Sequence, residues 1–268
     1  MTDSRHLLDD LQASTPEVRI GLSRAGVRGV SKAIPYQNGG YLKQAPIRET
    51  ATAVFAVEAM IDELAYAAGM DPIEFRIANM SPATNSRDID PLAAIKQVAG
   101  WETRRSASKL QSGDIVTGRG VAATGKTGAV VAEIEVNKKT GKIRATHMYG
   151  VQDVGLAISP GLVQNQMSGS LVQTVSRSFE AVRYSKNRVT SLDFVTYPIL
   201  RFKDAPKVTT VVLQRTDQTS TGAGEPLVPG TPPALANAFF DATGVRIRQW
   251  PLTPGHVRAV LKAAGKAV

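Results

Sequence analysis

The residues best suited to chemistry lie in one glycine-rich segment, Ser220 to Ala234. Gly222 and Gly224 carry no side chain, so the backbone N–H groups of this loop can approach a ligand closely. Glu225 follows at once and is the only acidic residue of the segment. A lone carboxylate in an apolar, glycine-framed loop is disfavoured in its charged form, which suits a general base. The alternative is a tight turn in which Glu225 caps the helix that follows.

A second glycine-rich segment, Gly120-Val-Ala-Ala-Thr-Gly-Lys-Thr127, fits the nucleotide-binding pattern G-x-x-x-x-G-K-T. That pattern binds phosphates where a helix begins directly after it, because the helix N-terminus supplies N–H groups and a positive dipole. The residues after Thr127 instead alternate β-branched and polar side chains, which predicts a strand. We therefore favour a loop between strands. A helix after Thr127 would support nucleotide binding, and a strand there would exclude it.

The metal-binding residue types are scarce. The chain has no cysteine and three histidines that lie far apart in the sequence, His6, His147 and His256. No disulfide, thiolate metal site or thiol nucleophile can come from it, and we expect any metal to arrive inside a cofactor. The 32 Lys and Arg against 23 Asp and Glu leave a net charge of +9, which suggests an acidic partner. No nucleic-acid-binding motif accompanies the basic residues, so DNA or RNA binding is disfavoured.

The composition is that of a folded chain. Of the 268 residues, 43% are hydrophobic and 21% are charged, which provides enough apolar material for a core. No apolar run reaches the roughly 18 residues of a membrane-spanning helix. The N-terminal residues lack the apolar core of a secretory signal, so we expect a cytoplasmic protein.

The spacing of apolar residues predicts the helices and strands that position the glycine-rich segment. Together they indicate a mixed α+β fold class. Helices are predicted at 52–69, 73–79 (with Asp71 as N-cap), 91–100, 161–177, 232–242 and 253–264. Strands are predicted in a hairpin over 129–153, in a second hairpin over 180–190, at 207–213 and at 245–250. Residues 1–50 are predicted to be loop-rich with a short helix from Ser4 to Leu11, and residues 81–90 are predicted to be a polar loop. We divide the chain into a loop-rich, helical part (1–110) and an α+β domain (111–268).

Four segments, in this order, resemble the molybdenum-binding large subunits of the xanthine oxidase family. FAVEAMIDELAYAAGMDPIEFRIANM (55–80) is similar to the helix pair of that family. VVAEIEVNKKTGKIRATHMYGVQDVGLAISP (130–160) is similar to its hairpin and D-x-G turn, and NQMSGSLVQTVS (165–176) to its Q-x-E-G helix. GAGEPLVPGTPPALANAFFDATGVRIRQW (222–250) is similar to its G-x-G-E loop with the ANA and DATG motifs that follow. The resemblance runs from about residue 30 to the C-terminus.

The resemblance implies a C-terminal molybdopterin-binding fold and a mechanism. In this family a molybdenum centre with oxo, sulfido and hydroxyl ligands is held by a pterin dithiolene, in bacteria usually as the cytosine dinucleotide. The matching glutamate, Glu225, would deprotonate the hydroxyl on molybdenum, and the oxygen would attack an aldehyde or N-heteroaromatic carbon. Electrons would leave through [2Fe–2S] clusters in a separate subunit, with FAD in a further partner. The cofactor carries the redox chemistry and the protein orients it.

The resemblance also assigns cofactor-binding positions. These are Gln166, Gly222, Ala223, Gly224 and Arg48. Gln166 matches the glutamine that hydrogen-bonds the pterin, and the three loop residues match those beside the molybdenum ligands. Arg48 is the arginine nearest to the family's R-x-P-G pattern, although it stands closer to Phe55 than the family arginine does. Ser168 and Thr174 replace the glutamate of the E-G pair and the glycine of the Q-G pair.

The large subunits of the family are much longer than this chain, and the matching segments belong to their C-terminal portion. We therefore expect one part of a split large subunit, with a companion chain that carries the N-terminal half and a [2Fe–2S] subunit. The alternative is a non-catalytic structural or assembly subunit, which the changes at Ser168 and Thr174 favour slightly. A fragment or a degenerate gene product also stays open. The sequence does not specify the substrate.

Overall fold

The computed structural model describes residues 46–107, 110–124, 127–185 and 188–266, and the side chains of residues 46–52, 84 and 85 lie outside this description. The helices, numbered in chain order, are α1 (Pro46–Ala67), α2 (Pro72–Ala78), α3 (Pro82–Val98), α4 (Pro160–Ser178), α5 (Thr231–Thr243) and α6 (Pro254–Ala263). The strands are β1 (Ile115–Ala123), β2 (Gly128–Asn137), β3 (Ile143–Asp153), β4 (Tyr184–Ser185), β5 (Arg188–Val189) and β6 (Lys207–Leu213).

The centre of the described fold is a four-stranded sheet in the order β1-β2-β3-β6. The first three strands are antiparallel neighbours, and β6 lies parallel to β3 at the edge. The parallel pair needs a long crossover, which α4 and the segment after it provide. The predicted hairpin over 129–153 and the predicted strand at 207–213 are confirmed.

Helices cover both faces of this sheet, so successive side chains of β2 are buried on opposite sides. On one face, Val130, Ala132 and Ile134 contact a core that includes residues of α4 and α5. On the other face, Ala129 and Val131 belong to a second core with residues of α2 and α3. This three-layer arrangement explains why β2 reads as an almost continuous apolar run in its first half. The structure therefore agrees with the predicted α+β class.

Two glycines of β1 let helix α5 approach the sheet closely. A Cβ atom at Gly118 would lie 2.3 Å from the carbonyl oxygen of Ala238, and one at Gly120 would lie 2.1 Å from the backbone nitrogen of Ala238. Neither contact can be accommodated without a shift of the helix backbone. The glycines of the G-x-x-x-x-G-K-T segment thus include one that serves helix packing.

Replacing Gly120 by Ala is expected to lower the free energy of unfolding by about 1–3 kcal/mol, because α5 must move away from β1. Gly169→Ala is the matched control. Gly169 lies at an exposed position of α4, and a Cβ atom added there would meet no atom within 4 Å. This second change is expected to be neutral or to stabilise the chain by up to about 1 kcal/mol. Urea unfolding of the full chain measures both, and equal midpoints for the two variants would contradict the packing argument.

Two predicted elements differ from the structure. In the segment 81–90, predicted to be a loop, residues 82–90 form the first half of α3, which has Ser81 as its N-cap and a proline in the first turn. The helix is supported there by an ion pair from Arg87 to the buried carboxylate of Asp153, a contact between residues far apart in sequence. The predicted strand at 245–250 is wrong: this segment has no regular structure, and no described strand pairs with it.

The helical ends that were predicted from capping residues are confirmed. Asp71 accepts hydrogen bonds from the N–H groups of Ile73 and Glu74 at the start of α2. Thr253 caps α6, and Gly244 adopts a left-handed conformation at the end of α5. Helix α1 begins at Pro46, six residues before the predicted start at residue 52. The predicted short helix from Ser4 to Leu11 and the loops predicted for the rest of residues 1–45 lie outside the described residues.

Candidate functional site

The candidate site begins with the turn that ends β3 and holds the loop leading to Glu225. Gly155 adopts a φ of +69°, and a Cβ atom there would lie 2.1 Å from the carbonyl oxygen of Thr219. The carboxylate of Asp153 accepts the N–H of Gly155 at 2.8 Å. The backbone N–H of Thr221 donates to the carbonyl of Val154 at 2.8 Å. The D-V-G turn and the glycine-rich loop are therefore packed directly against each other.

Asp153 is fully buried and is held by two arginines. Arg87 donates to it from Nη2 at 2.7 Å, and Arg215 donates from Nε at 3.2 Å. Burial alone would raise the pKa of Asp153, but the hydrogen bonds from Arg87, from the N–H of Gly155 and from Arg215, together with the charge of Arg87, outweigh it. The pKa of Asp153 is therefore lowered from its ordinary value of 3.8. The carboxylate stays charged at neutral pH and keeps the turn in place.

Helix α4 contacts the other side of the glycine-rich loop. The side-chain amide of Gln166 donates from Nε2 to the carbonyl oxygen of Gly224 at 2.5 Å. One turn later, the hydroxyl of Ser170 donates to the same carbonyl oxygen at 3.3 Å. Residues four apart lie on one face of a helix, so both side chains reach the loop. The structure thus brings Gln166 and Gly224, two of the predicted cofactor-binding residues, into direct contact.

Glu225 lies in this loop but is exposed to solvent. The apolar enclosure expected from the sequence is therefore wrong for the described residues of this chain. The interpretation as a helix cap is also wrong, because the N-cap residue of α5 is Gly230 and no side chain caps that end. Within the described chain, the carboxylate of Glu225 has no hydrogen-bonding or ion-pair partner. It is available to a ligand or to a partner chain.

The loop around Glu225 also presents backbone donors. The N–H groups of Gly222, Ala223, Gly224 and Glu225 make no hydrogen bond to another described residue. A Cβ atom added at Gly222 or Gly224 would meet no atom within 4 Å, so this stretch is open. Successive unpaired N–H groups on an open loop are suited to bind the oxygen or nitrogen acceptors of a polar or anionic ligand.

A buried amide side chain on β3 points to the face of the sheet that α4 covers. Gln152 is fully buried, and neither atom of its amide group has a hydrogen-bonding partner among the described residues. Side chains two residues apart point to one face, so Gln152 points to the face of Gly150, which lies beneath Leu171 and Leu227. An unpaired buried amide costs free energy, and such groups in native proteins call for a polar partner.

The remaining predicted residues have other placements. Arg48 lies in α1, but its side chain is outside the described residues. The hydroxyl of Ser168 donates to the carbonyl of Gln164 at 2.9 Å, and that of Thr174 donates to the carbonyl of Ser170 at 2.7 Å. Both hydroxyls are therefore used inside α4, where they satisfy backbone carbonyls.

The second glycine-rich segment is not a nucleotide-binding loop. Strand β2 begins at Gly128, directly after Thr127, so there is no helix N-terminus to hold phosphates. The absence of that helix excludes the nucleotide-binding alternative. Gly125 and Lys126 lie outside the described residues.

Neither a protein-ligated metal site nor a membrane span occurs in the described part of the chain. No three of its His, Asp or Glu side chains are grouped so that they could hold a metal ion. None of its helices is both long enough and apolar enough to cross a membrane.

Three members of the site carry no strong signal in the sequence. Arg87 and Arg215 were not predicted, because their partner Asp153 is distant in sequence and Arg87 lay in a predicted loop. Gln152 was not predicted because a polar residue in a strand normally indicates a solvent-exposed position. The available signal for Gln152 was its place directly before the D-x-G turn.

A sequence model of the molybdopterin cofactor-binding domain matches residues 48–206, more than half of the chain. The matched range contains Gln166 and ends before the loop of Glu225. One of the subunits of nicotinate dehydrogenase from Pseudomonas putida is 35% identical over 225 residues, which cover 79% of this chain and 19% of that protein. The beta subunit of isoquinoline 1-oxidoreductase from Brevundimonas diminuta is 29% identical, with coverage of 75% and 25%. The chain thus spans about a fifth to a quarter of the length of these relatives.

Solved structures show the same fold at lower sequence identity. The aldehyde oxidoreductase of Desulfovibrio gigas superposes with a TM-score of 0.64 and 17% identity, covering 80% of this chain and 41% of that one. The aldehyde oxidoreductase of Desulfovibrio desulfuricans gives a TM-score of 0.62 and 16% identity, covering 79% of this chain and 40% of that one. These likenesses support the architecture described above.

Proposed function

Because the chain belongs to the molybdopterin-binding subunits of the xanthine oxidase family, we propose that it forms part of the molybdenum site of a heteromeric hydroxylase. The observation that carries this proposal is the hydrogen bond from Gln166 to Gly224, which joins the family's glutamine to the loop of Glu225. The substrate class that we propose is an aldehyde or an N-heteroaromatic compound, since relatives carry the names nicotinate dehydrogenase and isoquinoline oxidoreductase.

Two observations on the described residues support binding of a molybdenum–pterin cofactor. The buried amide of Gln152 has no protein partner among them, and the loop from Gly222 to Glu225 presents unpaired N–H groups. A pterin dinucleotide is rich in oxygen and nitrogen acceptors and carries phosphates, so it suits a set of neutral amide donors. The proposed form is the cytosine dinucleotide. The +9 charge of the chain also favours an anionic ligand.

Each residue of the site would have a distinct role in binding the cofactor or in proton transfer. When bound, the molybdenum–pterin group supplies oxygen transfer to carbon and accepts two electrons. The second N–H of the Gln166 side-chain amide, which the bond to Gly224 leaves free, and the N–H groups of Gly222 to Glu225 would hold and orient the pterin. The carboxylate oxygens of Glu225 would take up the proton of the hydroxyl whose oxygen attacks the substrate carbon. Asp153 would act indirectly, by fixing the turn on which the loop rests.

The exposure of Glu225 bears on the partners that we propose. A general base works best where water is excluded, and this chain alone does not exclude it. A companion polypeptide that carries the rest of the molybdenum-binding subunit would close the site. The electrons would pass to [2Fe–2S] clusters, and in some assemblies to FAD, in further subunits.

Replacing Gln166 by Leu is expected to reduce the molybdenum and pterin retained by the purified assembly by about tenfold, because the proposed hydrogen bond to the cofactor and the bond that holds the loop at Gly224 are both lost. Metal analysis by mass spectrometry and fluorescence of the released pterin measure both contents. Gln111→Leu is the control, because Gln111 is exposed and Thr117 on β1 is its one hydrogen-bonding partner among the described residues. Equal cofactor contents in the two variants would contradict the role of Gln166. An assembly without molybdenum in the unmodified protein would instead favour the non-catalytic alternative.

A further inference from the structure

A segment between α4 and β6 exposes an unusual amount of apolar surface. We call residues 182–202 the apolar arm; residues 186 and 187 lie outside the described residues. Its exposed large apolar side chains are Val182, Tyr184, Val189, Leu192, Phe194, Val195, Ile199 and Phe202. They make up half of all such side chains in the described part of the chain, and Phe202 is 102% exposed. Exposed apolar side chains concentrated in one segment in this way mark an interaction site rather than ordinary surface.

The apolar arm is held in shape by its own hydrogen bonds. The N–H of Thr190 donates to the carbonyl of Arg183 at 2.8 Å and closes the short β4–β5 hairpin. The carboxylate of Asp193 accepts the N–H of Thr196 at 2.8 Å. The N–H of Leu200 donates to the hydroxyl of Ser176 at 3.0 Å, which fastens the arm to α4. The apolar side chains are therefore presented on an ordered backbone, which lowers the entropy cost of binding.

The charges of the apolar arm indicate what kind of surface it meets. Arg183, Arg188 and Arg201 are interspersed with the apolar residues along the arm, and none of them pairs with an acidic side chain of a described residue. The single acidic residue of the arm, Asp193, is already occupied by its own turn. A complementary surface would be apolar in its centre and acidic at its edge.

A second copy of this chain is a poor match for the arm. A symmetric dimer places the same patch of both copies face to face, so the three arginines of each arm would meet those of the other. Like charges brought together in this way oppose association. An acidic polypeptide of different sequence satisfies the same surface without that cost.

The position of the arm points to the missing part of the subunit. The arm lies in the connection between α4, which carries Gln166, and β6, the edge strand of the sheet. The chain spans 19% of the nicotinate dehydrogenase relative and 25% of the isoquinoline oxidoreductase relative, so most of the length of these proteins has no counterpart here. Resting on the proposed function, we infer that the apolar arm is the docking surface for the companion polypeptide that carries the rest of the molybdenum-binding subunit.

The test uses the full chain, tagged and purified with its native partners. The companion is identified by mass spectrometry as a chain that carries the remaining sequence of the family's molybdenum-binding subunit. In the triple variant Leu192→Ser, Phe194→Ser and Phe202→Ser, the amount of companion retained is expected to fall at least about tenfold. Ile115→Ser, which changes an exposed apolar residue on β1 outside the arm, is the control and should retain the companion at the level of the unmodified chain.

Hydrogen–deuterium exchange on the unmodified assembly provides a readout that needs no variant. We expect slower exchange of the amides of residues 182–202 in the assembly than in the isolated chain, and no change around Ile115. Unchanged exchange in the arm, or full retention of the companion by the triple variant, would overturn the inference. Self-association of the isolated chain through the arm would overturn it as well. An assembly that contains molybdenum and the companion but leaves the arm unprotected refutes only the docking surface, whereas an assembly without molybdenum refutes the proposed function.

Discussion

Replacing Glu225 by Gln is expected to reduce the turnover of the assembled enzyme by about 10²–10⁴-fold, the range typical for loss of a general base. The amide has the size of the carboxylate but cannot accept the proton. Because Glu225 lies on an open loop and makes no described side-chain contact, the change should leave the fold and the cofactor content intact. Turnover is measured with a panel of N-heteroaromatic compounds and aldehydes and a dye as electron acceptor.

The control for this experiment is Glu135→Gln, which removes an exposed ion pair with Arg144 on the hairpin, away from the glycine-rich loop. That variant is expected to turn over at the rate of the unmodified assembly. Rates should be normalised to molybdenum, so that a loss of cofactor is not mistaken for a loss of chemistry. If Glu225→Gln retained full normalised turnover, Glu225 would not be the base.

Replacing Arg76 by Met is expected to lower the free energy of unfolding by about 3–5 kcal/mol, because a buried carboxylate is left without its counter-charge. Arg76 is 2% exposed. Its Nε donates to Glu58 Oε2 at 2.8 Å, and its Nη1 donates to the carbonyl of Pro72 at 2.8 Å. The same oxygen of Glu58 accepts the N–H of Ala123 at 2.9 Å, so the pair joins α1 and α2 to the end of β1.

Urea unfolding of the full chain measures this loss. Lys139→Met is the control, because it breaks an exposed ion pair with Asp114 that should contribute less than about 1 kcal/mol. The double variant with Glu58→Gln removes the uncompensated charge and should recover part of the lost stability. A loss below about 1 kcal/mol in the single variant would show that the buried pair is not a major contributor to stability.

The elements predicted well from the sequence are those whose signals are local. The β2–β3 hairpin is specified by alternating residues on both sides of a short turn, and α2 and α6 by Asp71 and Thr253 at their first turns. Strand β6 was recognisable from a run of β-branched residues. In each case the information lies within one element.

The elements predicted wrongly depend on contacts that local sequence does not encode. Residues 81–90 join α3 and are tied to the sheet by the pair of Arg87 with Asp153, which stand far apart in the chain. Residues 245–250 have strand-like composition, but a strand requires a neighbour, and the structure pairs none with them among its described residues. Instead Arg246 pairs with the buried carboxylate of Asp62 in α1.

In the candidate site, too, some features could be predicted from the sequence, and others depend on contacts that the local sequence does not encode. The resemblance to the family picked out Gln166 and the loop of Glu225, and the structure places Gln166 against Gly224. The orientation of Gln152 toward the α4 side of the sheet could not be predicted, because burial depends on how the layers pack. The exposure of Glu225 could not be predicted either, because it depends on how the loop packs against α4 and the D-V-G turn. Whether Arg48 binds the cofactor stays a prediction.

The most direct test of the account is the molybdenum content of the assembly purified with its native partners. Metal analysis should find molybdenum at close to equimolar ratio with this chain, together with pterin that is released on denaturation. An assembly that is intact and contains this chain, but holds neither molybdenum nor pterin, would contradict the account and indicate a structural subunit.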